Sequence, residues 1–545
     1  MFKISLFLST ALFFLVASVD RAGASDSADG RCSQDLAGVP PAVRAVFQKP
    51  AYQDAVWGLR AVNLDNGRTL LDLNPDCSFY IGSVRKVFSI GELLNEVGPR
   101  HRYNTPIYRR GAISGSGVLA GDLVLVASGD LTMGGRTKPD GSIAIGNFDH
   151  NEANSLGNAD LTKPDPLAGY RTLARQVARA GIRRVTGDVI IDDRLFRPYL
   201  FRDEFKVRPI FVNDDVVDVA IKPTTAGEPA ATAVRPLSSA LRVKTPIRTG
   251  RRGSSLSLAI DPELPQCIGR PGCSATVAGS VPINLVPPLT GKFPLVRTVR
   301  IVEPANYART VLIELLRENG VRIDAAATRP NPVSLLPRQR HYPADTKVAE
   351  LTGLPYAESA KLVLKVSYNI GADTSLLLFG LTQGVDNMDG ALEKERHVLA
   401  SRYGIRPAEY RFFDGSGGGE TRALNRAVTR MLTGLSRSAA FPAFRDGLPI
   451  LGVDGSLAMV TDYKSDPTLV GATGQVRAKT GTYLAGTATG PLLKAQALGG
   501  YVATKAGRRI VFQLVVNNVP VSGIDDIIQI FQDQGRVSAI LWRDY

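Results

Sequence analysis

Residues Ala55–Leu73 alternate apolar and polar positions, break at Asp65-Asn66-Gly67, and alternate again. Successive strand side chains point to opposite faces, and an Asn-Gly pair supplies a tight turn, so the pattern predicts a β-hairpin. From Ser83 the period changes. Val87, Ile90, Leu93, Leu94 and Val97 recur at three- and four-residue spacing, which predicts a buried helix with Ser83 at its start. Beyond about residue 108 the texture shifts to short strands introduced by Gly-Asp (GDLVLVAS, GDVIIDD), with a helical pattern at Pro166–Ala180 between them. Residues 212–290 are rich in Val, Thr, Ser, Gly and Pro and carry short alternating runs such as VVDVAIKP and SLSLAID, the pattern of an all-β module.

Helical periodicity returns at Asn306–Asn319, and a Pro-rich connection, PNPVSLLPRQRHYP, follows. Further helices are predicted at Leu354–Leu381 and Arg422–Arg437, strands at Gly474–Lys479, Ala495–Val502 and Arg509–Asn517, and a last helix at Ile524–Gln532. There is no internal repeat and no low-complexity tract. At 545 residues, the chain exceeds a single ordinary core and implies several domains.

The first segment reads as a targeting signal. Lys3 precedes the apolar run Ile4–Val19, and Ala22-Gly23-Ala24 is a small-x-small cleavage site, so the mature chain is expected to start at Ser25. A transmembrane anchor is the other reading, but the run is short and no basic cluster closes it. No cysteine follows the cleavage site, as a lipoprotein signal requires. Export through the inner membrane to the periplasm is the expectation. It places Cys32, Cys77, Cys267 and Cys273 in an oxidising compartment, where an even count suggests disulfides. Four cysteines allow three pairings. Proximity favours Cys267–Cys273, around a short Gly- and Pro-containing loop, and leaves Cys32–Cys77. A zinc site is disfavoured, because none of His101, His150, His341 and His397 stands at a ligand spacing from these cysteines. The formal charge of +14 becomes +13 once Lys3, Arg21 and Asp20 are removed. In an exported protein that charge favours peripheral contact with the anionic envelope over nucleic acid. The basic residues form no dense tract, so a dispersed, solvated charge is the simpler reading.

Three short motifs carry chemistry. In Ser83-Val84-Arg85-Lys86, residues three apart share a helix face, so hydroxyl and amine can touch. A serine is a poor nucleophile until a base takes its proton, and a lysine can serve when burial and neighbouring charge lower its pKa. Ser367-Tyr368-Asn369 sits where a helical pattern is interrupted. Lys479-Thr480-Gly481-Thr482 is expected at the end of an alternating strand, where glycine admits a bound peptide and the lysine and threonines can hold a carboxylate. Each motif alone is ordinary: a surface tetrad, a Ser/Asn break, a strand end.

In this order the three motifs resemble the signature of penicillin-recognising serine hydrolases. The long stretch between Ser83 and Ser367, with ASGDLTMGG, TGDVIIDDRLF, NDDVVDVAIKP, FFDGSGGGE and GVDGSLA, narrows the resemblance to the D-alanyl-D-alanine carboxypeptidase/endopeptidase family, the penicillin-binding protein 4 type. It covers roughly residue 40 to the C-terminus. The resemblance implies an α+β fold, with a serine transpeptidase/β-lactamase-like catalytic domain of helices on an antiparallel sheet and inserted mixed and all-β domains. The implied division is a signal peptide at 1–24, catalytic domain at 25–107 and 345–545, a second domain at 108–211 and 291–344, and a nested β domain at 212–290.

The resemblance also implies the roles. Ser83 is the nucleophile, Lys86 its general base, and Ser367 a proton relay steered by Lys479. Asn369 binds the substrate amide. The N–H groups of Ser83 and Thr482 form the oxyanion hole. Thr480, Gly481 and Thr482 receive the terminal carboxylate end. Peptidoglycan stem peptides are the expected substrates, β-lactams the expected covalent inhibitors, and no metal or organic cofactor is implied. Asp192 matches an acidic position that faces the cleft in the family and could pair with a diaminopimelate amine. The plainer reading is that Asp192 ends a strand and caps a turn.

Two departures stand out. Gly418-Gly419-Glu420 follows Asp414-Gly415-Ser416-Gly417 where the family continues with Leu, and Tyr368 replaces a smaller polar residue. A β-lactamase is the nearest rival. The class A type needs Glu-x-x-Leu-Asn, but Glu92-Leu93-Leu94-Asn95 is one residue short. The class C type needs Tyr-x-Asn, and Tyr368 and Asn369 are adjacent. No Gly-x-Ser-x-Gly elbow is present. A non-catalytic penicillin-binding scaffold on the same fold is the rival from another class, and the intact motifs weigh against it.

Overall fold

The computed structural model describes residues 32–545 apart from Gln34, Gln339 and Thr489; the expected signal peptide lies outside the described residues. The chain divides into two compact units. One is Arg102–Leu354. The other joins the described residues up to His101 with Pro355–Tyr545.

The discontinuous unit is built on the predicted hairpin, β1 (Val56–Asn63) and β2 (Thr69–Leu73), followed by helix α1 (Lys86–Val97). After the other unit come α2 (Tyr356–Val366), α3 (Asn369–Thr382), β3 (Val476–Thr487), β4 (Gly490–Ala503), β5 (Arg509–Asn517) and α4 (Ile524–Asp544). The strands form an antiparallel sheet in the order β2-β1-β5-β4-β3, so β3 is an edge. Leu59, Ala61, Leu514, Val516, Val537 and Leu541 share one core between the sheet and α4. Each of these leucines and valines contributes ~1.5–3 kcal/mol on burial. Helix α1 buries Val87, Ile90, Leu93 and Leu94, as its period predicts, but also Lys86, Ser89 and Glu92. A helix buried all round brings polar groups inside, and those groups turn out to be the informative ones.

The elements depart from the sequence reading in four places. β3 does not end at Lys479 but runs through the motif to Thr487, because β4 pairs with it from Val476 to Thr487, with one register shift between Tyr483 and Leu484. Helix α4 continues past Gln532 to Asp544; Gly535, which reads as a stop, instead lets the helix pack against Val460, 2.2 Å from where a Cβ would lie. The predicted helix at Arg422 starts at Asn425, since Arg422–Ala423 pairs as a strand with Phe79–Tyr80. Met388–Tyr403 is a helix the apolar pattern did not reveal, because few of its side chains are buried.

The unit Arg102–Leu354 opens on a mixed sheet. Val118–Val126 pairs antiparallel with Arg102–Ile113 and parallel with Arg184–Val185 and Val189–Asp192. Helices Ala168–Arg179 and Pro304–Glu318 pack on each other beside it. Between Val216 and Arg300 the named elements are all strands, in a three-stranded antiparallel sheet and a four-stranded mixed one. Leu295–Arg300 completes the first of these by pairing with Val216–Lys222. The disulfide Cys267–Cys273 lies in this unit, and Cys32–Cys77 lies in the discontinuous unit. Among the described residues no helix is long and apolar enough to cross a membrane.

Candidate active site

Ser83 sits in a short 3-10 turn, Gly82–Arg85, that runs into α1. The turn is held by main-chain approaches that only glycine permits. Gly82 has φ +47°, and a Cβ there would lie 3.0 Å from the Thr482 nitrogen. A Cβ on Gly481 would stand 2.1 Å from the Ile81 oxygen and 3.1 Å from the Ser83 nitrogen. A Cβ on Gly417 would meet the Gly82 oxygen at 2.2 Å. Two backbone segments thus close on the turn without intervening side chains, and Thr482 is brought beside Ser83 on the open edge of β3.

Lys86 begins α1, fully buried, one turn below Ser83. Its Nζ donates to Ser83 Oγ at 2.6 Å, Asn369 Oδ1 at 2.6 Å and Ser367 Oγ at 3.0 Å. The second motif reaches it because the α2–α3 helical run is broken. Ser367 takes the left-handed conformation, φ +64°, at the end of α2, and Asn369 starts α3. That conformation is uncommon outside glycine and marks a position held by its surroundings. Tyr368, between them, is 1 % exposed and packs onto Gly371, so it faces the core and does not narrow a cleft.

Lys479 completes the chain of contacts. Its Nζ donates to Ser367 Oγ at 2.9 Å and to the Thr480 carbonyl at 2.7 Å. Burial, and then the charge of Lys86, push its pKa well below the usual lysine range. Thr480 Oγ1 lies 2.8 Å from Ser456 Oγ, and Thr482 Oγ1 donates to Gln496 Oε1 at 3.0 Å. Lys365 anchors the Ser456 turn by donating to Asp454 at 2.6 and 2.7 Å. All eight motif residues, Ser83, Lys86, Ser367, Asn369, Lys479, Thr480, Gly481 and Thr482, therefore belong to one unit and one constellation.

Reading the sequence did not single out the groups that hold this constellation. Arg85, inside the first motif, has no exposed surface. It donates to the Asp414 carbonyl at 2.9 Å and to Glu395 at 2.6 Å, and its guanidinium lies 4.2 Å from the Phe412 ring centroid. The glycine-rich departure is a wound loop: the Asp414 carboxylate accepts from Ser416 N at 2.9 Å, Gly417 N at 2.7 Å and Gly418 N at 3.0 Å. The helical period puts Lys86, and not Arg85, on the apolar face, so no local signal marked the burial of Arg85. Glu92 is fully buried, and burial reinforced by the Glu395 charge pushes its pKa well above the usual carboxylate range.

Asp192 belongs to the other unit, at the end of strand Val189–Asp192. It is fully buried and accepts from Arg194 Nε at 2.8 Å, Arg194 Nη2 at 2.9 Å and Tyr342 Oη at 2.6 Å. Burial alone would raise its pKa, but these hydrogen bonds hold it below the usual range. Its bonds favour the strand-end, turn-capping reading.

Known proteins share this architecture. Residues 40–532 match the D-Ala-D-Ala carboxypeptidase 3 (S13) family. A D-alanyl-D-alanine carboxypeptidase of Actinomadura sp. (strain R39) is 25 % identical over 511 residues, 87 % of this chain and 80 % of that protein. The crystal structure of penicillin binding protein 4 from Haemophilus influenzae superposes with a TM-score of 0.66 at 16 % identity, covering 92 % of this chain and 99 % of that one. Its complex with a novel β-lactam superposes with a TM-score of 0.64 at the same identity and coverage. At these identities the two structures speak for the fold.

Proposed function

Because this chain belongs to the D-Ala-D-Ala carboxypeptidase 3 (S13) family, we propose that it cleaves the D-alanyl-D-alanine end of peptidoglycan peptides through an acyl-enzyme on Ser83. It is a serine peptidase by family; the roles of its residues are our reading. The observation that carries this reading is Lys86, whose Nζ reaches Ser83, Ser367 and Asn369 at once.

The substrate lies along the open edge of β3 as an added strand, which aligns the scissile carbonyl with Ser83. A proton passed from Lys86 to Ser367 Oγ, with the Ser367 proton going to Lys479, frees the lone pair of Lys86. Ser367 Oγ lies within hydrogen-bonding reach of both lysine nitrogens, which gives the proton that path. Ser83 Oγ then attacks the carbonyl carbon of the penultimate D-alanine and yields its proton to Lys86. The Ser83 and Thr482 N–H groups hold the oxyanion. The C–N bond breaks as Ser367 protonates the leaving amine and recovers a proton from Lys86, and D-alanine departs, its carboxylate having rested on Thr480 and Thr482. Water completes the hydrolysis.

With penicillin the leaving amine stays tethered and blocks that water. The one glutamate near a β-lactamase pattern, Glu92, is fully buried in α1, which does not suit a base for a deacylating water. Penicillin is therefore expected to persist as an adduct. Export to the periplasm, with cleavage before Ser25, and peripheral contact between the basic surface and the anionic envelope belong to the same proposal.

The test is Ser83→Ala, which should abolish both fluorescent penicillin labelling and D-alanine release while the melting curve stays cooperative. A penicillin adduct mapped to Ser367 or Ser416 would overturn the assignment.

A further inference from the structure

We propose that a basic pocket beside β1, remote from Ser83, binds a phosphate group. The pocket holds about 540 Å³ and belongs wholly to the discontinuous unit. It is lined by Arg60 of β1, by Arg402 near the end of the helix Met388–Tyr403, and by Arg430 and Arg437, the one within and the other just past the helix Asn425–Leu435. Among the described residues, neither a carboxylate nor a motif residue lines it. β5 and β4 stand between β1 and the substrate edge β3. Three inter-strand steps of about 4.8 Å put β1 roughly 14 Å from β3. The pocket is therefore apart from the peptide track.

Its four guanidiniums divide into committed and open ones. Arg60 pairs with Asp72, and Arg402 with Glu96 at 2.7 Å; both carboxylates lie outside the lining, so these two arginines contribute field and not donors. Arg430 reaches Glu409 through Nη1 alone, at 3.0 Å, and the same atom donates to the Gly404 carbonyl at 3.2 Å. Its Nε and Nη2 have no acceptor among the described residues. Glu409 also accepts from Arg426 Nε at 2.7 Å, so one carboxylate answers two guanidiniums. Arg437 is exposed, and its guanidinium makes neither a hydrogen bond nor an ion pair among the described residues. Arginines near a helix C-terminus offset its partial negative charge. Arg430 does so at Gly404, whereas Arg437 bonds to no carbonyl. These two stand seven residues apart, two helical turns, and so rise near one face. One bidentate fork fills a carboxylate, but a phosphate has oxygens for two forks at once. Two open guanidiniums on one wall, with no lining carboxylate to answer them, thus favour a phosphate ester.

The proposal deepens the envelope contact stated above and rests on no step at Ser83. The probe is pyrophosphate, titrated calorimetrically into the mature chain at an ionic strength held constant with chloride. The wild type should bind one pyrophosphate. Arg437→Gln should raise Kd about tenfold, the loss of one charge-assisted contact. Arg437→Lys keeps the charge without the fork and should fall between. Arg252→Gln, at an exposed arginine of the other unit, should leave Kd unchanged. Arg437 is exposed, so its variants should fold. Penicillin labelling and D-alanine release should match the wild type throughout, which keeps the Ser83 reading separate. Sedimentation with phosphatidate-containing vesicles distinguishes the sources. Vesicle binding lost in Arg437→Gln assigns the phosphate to a lipid headgroup; vesicle binding kept beside a raised pyrophosphate Kd assigns it to a soluble or polymer-borne ester. An unchanged Kd in Arg437→Gln, or an equal rise in Arg252→Gln, overturns the site, and vesicle binding that persists in that case leaves only the dispersed surface charge.

Discussion

Replacing Gly481 by alanine tests whether main-chain proximity sets the rate. The added Cβ would lie 2.1 Å from the Ile81 oxygen and 2.9 Å from the Val84 nitrogen, both backbone atoms that cannot swing aside. Relief of the first contact requires β3 and the Ser83 turn to part by ~1 Å, and a misplacement of that size costs about 100-fold in rate, or ~2.7 kcal/mol of barrier. Overpacking adds ~1–3 kcal/mol of destabilisation. Gly486→Ala is the control, since a Cβ at Gly486, on the same strand, meets nothing within 4 Å. The assay is the second-order rate of penicillin labelling beside D-alanine release and a thermal melt. Gly481→Ala should label about 100-fold more slowly, and Gly486→Ala at the wild-type rate. If Gly481→Ala labels within about threefold of wild type at unchanged melting temperature, the spacing of β3 from the turn does not govern acylation.

Other perturbations follow from the buried charges. Arg85→Met leaves Glu395 without its partner in the interior and should cost ~3–5 kcal/mol, much of it recovered in Arg85→Met/Glu395→Leu; chemical denaturation checks this, and equal stabilities of the two variants would contradict it. In the other unit, burial alone would depress the pKa of His150, but Asp218, Asp149 and Asp214 push it up to about 10. A folded pKa above the unfolded ~6.5 means the contribution is complete below that pH and disappears as pH rises through about 10. His150→Gln should therefore destabilise by several kcal/mol at pH 6 and much less at pH 10.5; an equal loss at both would refute the charged state. Asp192→Asn should lower turnover equally for peptides with and without a free side-chain amine, because Arg194 and Tyr342 already occupy the carboxylate. A loss confined to the amine-bearing peptide would restore the specificity role.

How far the sequence could be read depended on the range of the interactions. β5, at Arg509–Asn517, and the β1–β2 hairpin were legible because alternation and turn residues are local. The three motifs were legible as a set, and their side chains do converge. The continuation of β3 through Lys479 was not, because its pairing partner is a different segment and Gly481 reads locally as a break. Arg85 illustrates the harder case. Its burial depends on Glu395 and Asp414, hundreds of residues away, and a lone arginine in a helix reads as surface. The glycine-rich loop departs from the family's pattern in sequence, yet an aspartate carboxylate organises its amides, a contact that composition does not reveal.

The discontinuity of the unit that holds Ser83 also has a temporal side. Lys86 bonds to residues 281 and 283 positions further on, and β1 lies against β5, with Val56 opposite Asn517. During synthesis, Ser83 and Lys86 emerge with neither Ser367 nor Lys479 available, and β1 waits with one edge unpaired. Non-local pairing of this kind is slow to close and leaves an adhesive edge open meanwhile. The Cys32–Cys77 bond has both its cysteines in the early stretch, so it is the covalent tie that stretch can make while it waits.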